Sequence, residues 1–151
     1  MSHQELDLLG RVLVGALVSY AIGFEREIRG AHAGDRTFSL IGLGAAAVTA
    51  VTIGDAPHAI GGVLTGVGFV GAGLVFRGEG QVVGITTAAT IFTVASIGIV
   101  AGAGHLIVAS VVGALVIVIL ETRHLPLLRF LDGRRYTRIV AEDEDMPQHG
   151  G

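Results

Sequence analysis

The chain has 151 residues, of which 51% are hydrophobic and only 15% charged, and its mean hydropathy is +0.70. A soluble domain carries about 25% charge and needs polar faces on its helices, so the composition excludes an ordinary soluble globule. The net charge of −3 says little about partners, because residues 142–145 form a single acidic run near the end of the chain.

Apolar runs delimit five predicted transmembrane helices, at residues 8–24, 38–53, 59–76, 82–103 and 106–120. All are short or average against the roughly 17–25 helical residues that a bilayer core requires. The first carries Arg11 one helical step from Asp7, close enough to the end for its head to snorkel outward. Glu5 and Asp7 replace the positive n-region of a cleaved signal, so this segment is expected to be retained. Between Phe38 and Phe76 the only ionisable residues are Asp55 and His58, and between Gln81 and Leu120 the only one is His105. Histidines in such turns are candidates for an outer metal or proton role, although most are simply solvated.

The arginines set the number of spans and their orientation. There is no lysine, and with five spans nine of the ten arginines fall on one side: Arg26, Arg29, Arg36, Arg77, Arg123, Arg129, Arg134, Arg135 and Arg138. The positive-inside rule makes that side cytoplasmic, with the N-terminus outside and the C-terminus inside. The expected fold is an all-α, polytopic membrane bundle filling residues 1–124. A basic amphipathic segment at 125–140 is expected to lie along the inner leaflet, and 141–151 reads as a disordered acidic tail.

The first connection is the chemically dense part. Glu25, Arg26, Glu27, Arg29, Asp35, Arg36 and Thr37 lie directly against the membrane surface, with Arg77 on the next loop of the same side. They read either as a surface anchor or as an intramolecular charge cluster closing the inner end of the bundle. Two carboxylates with retained waters would suit Mg²⁺, but the nearby arginines oppose a strong cation site, and a metal site stays undetermined. Gly66, Gly68 and Gly71 match G-x-G-x-x-G literally. That fingerprint needs an acid about 20 residues on, and 88–99 hold none. Gly42, Gly44, Gly62, Gly66, Gly68, Gly71 and Gly73 instead suit close packing of membrane helices. Thr86, Thr87, Thr90 and Thr93 give the fourth span a polar face, for adhesion between helices or for a narrow hydrated path. No nucleophile–base pair or metal-ligand spacing is visible, so neither an enzyme nor a cofactor is expected.

The runs G-F-E-R-E-I-R-G, A-G-D-R-T, L-I-G-L-G-A-A, G-V-G-F-V-G-A-G and G-I-T-T-A-A-T, in this order over about residues 8–120, resemble the MgtC/SapB family of bacterial inner-membrane proteins. The resemblance places Glu25, Arg26, Glu27, Gly34, Arg36 and Thr37 on the first family motif. Gly66, Gly68, Gly71, Ala72 and Gly73 fall on the third-span motif, with Arg77 just after it, and Thr87, Ala88, Ala89 and Thr90 on the fourth. Asp35 replaces an apolar residue of many members, and Thr86 and Thr93 stand where virulence-type members tend to have Asn and Cys. The resemblance implies five helices in the inner membrane and adaptation to low Mg²⁺ or acid stress. It also implies self-association, expected as a dimer, and a membrane partner such as the F-type ATP synthase. The sequence given stops at Gly151, short of the soluble C-terminal regulatory domain of longer members, so no sensing through that domain is expected. The bilayer is the expected surroundings and nucleic acid is not an expected partner. The competing reading is a small oligomeric ion or solute channel or transporter.

Overall fold

The computed structural model describes residues 2–78 and 81–122, with the backbone alone at 76–78 and 81. The segments expected at 125–140 and 141–151 lie outside the described residues. The elements are α1 (His3–Ile28), α2 (Asp35–Thr52), α3 (His58–Gly73), β1 (Phe76–Gly78), β2 (Gln81–Val83), α4 (Ile85–Gly102) and α5 (Leu106–Thr122). The chain divides into two compact units, Met1–Ile117 and Val118–Gly151. The described part of the second unit is the end of α5.

Local chemistry sets where the helices begin and end. Ser2 and Glu5 cap α1 reciprocally: Ser2 Oγ accepts from the Glu5 amide at 3.2 Å, and the Glu5 carboxylate accepts from the Ser2 amide at 2.7 Å. This capping box satisfies two orphan donors and starts the helix five residues before the predicted span. At its other end α1 runs on to Ile28, so Glu25, Arg26 and Glu27 belong to a helix rather than a loop. The residues expected to finish the third span and open the fourth instead form an antiparallel hairpin, with Arg77 opposite Val82. Gly84, which follows β2, has φ +90, and a Cβ there would collide with the Leu74 carbonyl. Only glycine accepts both conditions, and α4 starts immediately afterwards.

The far end of α4 closes in a Schellman motif. Gly104, at φ +92, donates to the Ala101 carbonyl at 2.9 Å and His105 donates to Val100 at 3.1 Å, the 5→2 and 6→1 bonds of that cap. The Arg11 guanidinium lies on this turn. It pairs with Asp7 at 2.6 Å and reaches the Gly102 carbonyl at 3.5 Å. A cation at a helix C-terminus is favourable, so Arg11 ties α1 to α4 as well as pairing along its own helix.

Three backbones approach closely in the middle of the bundle. A Cβ on Gly15 would meet Ala46 Cβ at 2.8 Å, and one on Gly42 would overlap the Ser19 side chain. A Cβ on Gly98 would meet the Gly42 carbonyl at 2.5 Å, and one on Gly102 would meet Thr49 Cβ at 2.9 Å. Matched in order along the chain, these contacts run α1 antiparallel to α2 and α2 parallel to α4. The Ser19 hydroxyl, fully buried at this crossing, donates to the Gly15 carbonyl at 2.7 Å. Gly71 meets Ala88 at 3.6 Å and sets α3 beside α4, while Gly113 of α5 faces Val18 of α1.

The residue sizes are distributed inside out for a water-soluble protein. The interior is built from Gly, Ala, Ser and Thr with Ile22, Phe38, Ile91, Val94 and Ile97. Large apolar side chains face outward: Leu13, Leu17, Tyr20, Phe24 and Ile28 along one face of α1, and Ile107, Val111 and Leu115 on α5. Lipid rewards that arrangement, because association there depends on close packing rather than on hiding apolar surface from water. By length and hydropathy, α1 and α4 suffice to cross a membrane, and α3 and α5 are shorter apolar helices.

Replacing Gly42 by alanine is expected to cost about 1–3 kcal/mol through overpacking. Gly66→Ala, where a Cβ meets nothing, should instead raise stability by up to about 1 kcal/mol, because alanine is the better helix former. Thermal unfolding of the two variants in one detergent checks the contrast.

Candidate functional site

The end of α1, the start of α2 and the hairpin between α3 and α4 lie at one end of the bundle, since α4 runs parallel to α2 and antiparallel to α3. Glu25, near the end of α1, keeps 10% of its side chain exposed and Arg26 keeps 14%. The Glu25 carboxylate lies 3.4 Å from Arg26 Nε and 3.8 Å from Arg29 Nε. Both Glu25 oxygens and Arg26 Nε are buried without a hydrogen bond. The attraction is therefore one of proximity alone, and a buried pair of this kind fixes a geometry more than it adds stability.

Glu27 does something different. Its Oε2 accepts from the Asp35 amide at 3.1 Å, across the six-residue turn between the helices. The N-cap of α2 is Gly34, which has no side chain to cap with, and a Cβ at Gly34 would run into Glu27 Oε2. A carboxylate from α1 thus sits on the positive end of α2, where anions are favoured. Asp35 turns its own Oδ1 to the Arg36 amide at 2.6 Å, and the Ser39 hydroxyl donates to the Asp35 carbonyl at 2.6 Å. Glu27, Gly34, Asp35, Arg36 and Thr37 line a polar recess of about 330 Å³.

The structure thereby brings together seven of the eight residues of the first connection and its neighbouring loop, in two subsets. Glu25 and Arg26 turn to the packed side of α1 with the more exposed Arg29 beside Glu25, whereas Glu27, Asp35, Arg36 and Thr37 surround the start of α2. The backbone of Arg77 lies in β1 at the same end, and its side chain lies outside the described residues. Among the described residues no group of three or more His, Cys, Asp or Glu could hold a metal ion.

The threonines of α4 divide in the same way. Thr87 and Thr90 are buried, Thr93 is half-buried and Thr86 exposed. Thr90 donates to the Thr86 carbonyl at 2.7 Å and Thr93 to Ala89 at 2.9 Å. Of the glycines expected to pack helices, Gly42 and Gly71 meet neighbours within the chain. Gly44, Gly62, Gly66, Gly68 and Gly73 meet nothing within 4 Å. Gly15, Gly23, Gly98 and Gly102, which do bring backbones together, carried no sequence signal beyond a spacing of eight on α1 and four on α4.

Small residues inside, large apolar ones outside and charges held at the helix ends define a helical membrane protein. The family model described as MgtC family matches residues 12–125, and the chain belongs to that family. It is 36% identical over 147 residues to YhiD of Escherichia coli (strain K12), covering 89% of this chain and 68% of YhiD. The name of YhiD designates it, provisionally, a magnesium transporter. Protein MgtC of Brucella abortus is 35% identical over 137 residues, covering 87% of this chain and 56% of that protein. The chain therefore spans little more than half the length of the Brucella protein. Protein SrpB of Synechococcus elongatus is 40% identical over 118 residues, covering 66% of this chain and 65% of SrpB. No solved structure matches the chain.

Glu27→Ala is expected to remove the cap on α2 at a cost of about 1 kcal/mol, with faster amide hydrogen exchange at Asp35. Glu27→Gln keeps a carbonyl acceptor and should retain part of the protection. Equal exchange in all three proteins would show that the contact contributes nothing.

Proposed function

We propose that this chain is a non-enzymatic inner-membrane protein of the MgtC type, acting in adaptation to low Mg²⁺ or acid through self-association and a membrane partner. The observation that carries this reading is the confinement of charge to the helix ends. Within residues 12–24, 38–54, 59–75, 85–104 and 106–120 there is no Asp, Glu, His, Lys or Arg. Pumps and ion carriers place ionisable groups at mid-membrane. The hydroxyls of Thr90, Thr93 and Ser96 moreover donate to carbonyls of their own helix, which suits adhesion better than conduction. Self-association is supported by α3, whose Gly62, Gly66 and Gly73 share a face with Phe69, 82% exposed.

Five spans are part of the proposal. α3, at 16 residues, is about 24 Å long and would need local thinning of a bilayer core of about 30 Å. The turn before α3, residues 53–57, carries no Arg or Lys, and the arginines gather at the opposite end, which supports the cytoplasmic placement of the rim. The competing reading is an oligomeric channel or transporter, which the name of YhiD keeps in view.

Reconstituted in liposomes, the protein is expected to pass no Mg²⁺, H⁺ or K⁺ down an imposed gradient. Flux abolished by Thr90→Val would sink the regulator reading. The absence of cysteine allows a direct topology test with a membrane-impermeant maleimide on intact spheroplasts. Asp55→Cys is expected to label from outside and His32→Cys only after lysis, and the reverse pattern would invert the proposed orientation.

A further inference from the structure

Where α1 meets α2 the charges are balanced by count and uneven by geometry. Glu25, Glu27 and Asp35 balance Arg26, Arg29 and Arg36, yet each carboxylate is already engaged. Glu25 lies between Arg26 and Arg29, Glu27 is on the Asp35 amide, and Asp35 is on the Arg36 amide. Among the described residues the Arg36 guanidinium has no ion pair, and its side chain is exposed. Its position on α2 is equally specific. Positions 36, 40, 43 and 51 share one helical face, opposite the buried face of Phe38, Gly42, Ala45 and Thr49. Leu40 is 68% exposed and Val51 70%, with Leu43 also exposed, so Arg36 heads an outward-facing apolar stripe.

We propose that Arg36 is the headgroup contact of a site for an anionic phospholipid, whose acyl chain lies along Leu40 and Leu43. Resting on the membrane reading above, this gives α2 a lipid ligand. A guanidinium matches the fork of a phosphate diester. A free anion would gain the same charge contact but nothing from the stripe, and an acidic peptide would leave Leu40 and Leu43 uncovered. The continuity of cation and apolar face therefore selects a lipid. The glutamate on the start of α2 already fills the other anion seat at this rim, which leaves Arg36 as the point of attachment.

The test uses the full chain in nanodiscs or mixed micelles of equal phosphatidylglycerol and phosphatidylcholine, with bound lipid counted by native mass spectrometry. Wild type is expected to retain phosphatidylglycerol preferentially. Arg36→Gln should reduce that preference about five-fold, the weight of one basic residue at an anionic surface, and Arg36→Lys should keep most of it. Among the described residues the Arg36 side chain makes no hydrogen bond or ion pair and is exposed, so thermal unfolding of the variants should match wild type. Unchanged preference in Arg36→Gln would overturn the site, as would displacement of the lipid by millimolar inorganic phosphate. Failure of wild type to incorporate into nanodiscs would overturn the membrane reading and the site with it, whereas incorporation with unchanged preference overturns the site alone.

Discussion

The close approach of α1, α2 and α4 is the contact on which the rest of the structure depends. Gly15, Gly42, Gly98 and Gly102 remove the side chains that would hold these backbones apart. In lipid no hydrophobic force drives apolar helices together, so dispersion over a well-matched surface has to do it. Tight contact between three backbones supplies that surface. The interior that results has little room for large side chains, and Phe38, close against Gly23, is the largest of those fully buried. Bulk that cannot enter is displaced outward, where leucines, valines and aromatics meet the lipid.

Polar groups are constrained by the same contact. A packed interior of this kind leaves a hydroxyl only its own helix to bond to, as Ser19 and Thr90 do. Thr49, fully buried at the α2–α4 contact, makes no side-chain hydrogen bond among the described residues. Charges are driven to the ends of the helices, where they take up the loose backbone groups. Arg11 covers the carboxyl end of α4 and Glu27 the amino end of α2, each acting on a helix other than its own. These two contacts sit at opposite ends of the same three-helix unit, and both match the sign of the helix dipole they meet.

Much of this was legible in the sequence, for reasons that are themselves physical. The five helices and the segregation of charge follow from the cost of placing polar groups in lipid, which writes long apolar runs into the chain. The rim cluster was legible because charged residues are rare here and those seven stand out. What could not be read was direction. Gly42 and Gly44 look alike in sequence, yet one touches Ser19 and the other touches nothing, because a helix of small residues gives no contrast between its faces. The hairpin was hidden for a related reason: Phe76, Val82 and Val83 extend the apolar runs on either side, and the polar, glycine-rich break at residues 77–81 reads as an ordinary loop. Arg11 looked like a snorkelling residue because its second contact, ninety-one positions away in sequence, depends on the tertiary fold.

The two sets of glycines lead to a final distinction. Gly15, Gly23, Gly42, Gly98 and Gly102 of α1, α2 and α4 are consumed by the fold, and substitution there is felt by the whole bundle. Those of α3, other than Gly71, are spent on nothing within the chain, although glycine costs a helix roughly 1 kcal/mol relative to alanine. A helix that bears this cost at five positions without a compensating contact is intrinsically weak. Its exposed glycines also form a shallow groove beside Phe69, into which a second helix can pack closely. If α3 acquires such a neighbour, the stabilisation appears only in the assembly, and the strength of association becomes adjustable without disturbing the three-helix unit. Fold and assembly would then rest on separate surfaces of one small protein, with the charged rim at the end where those surfaces meet.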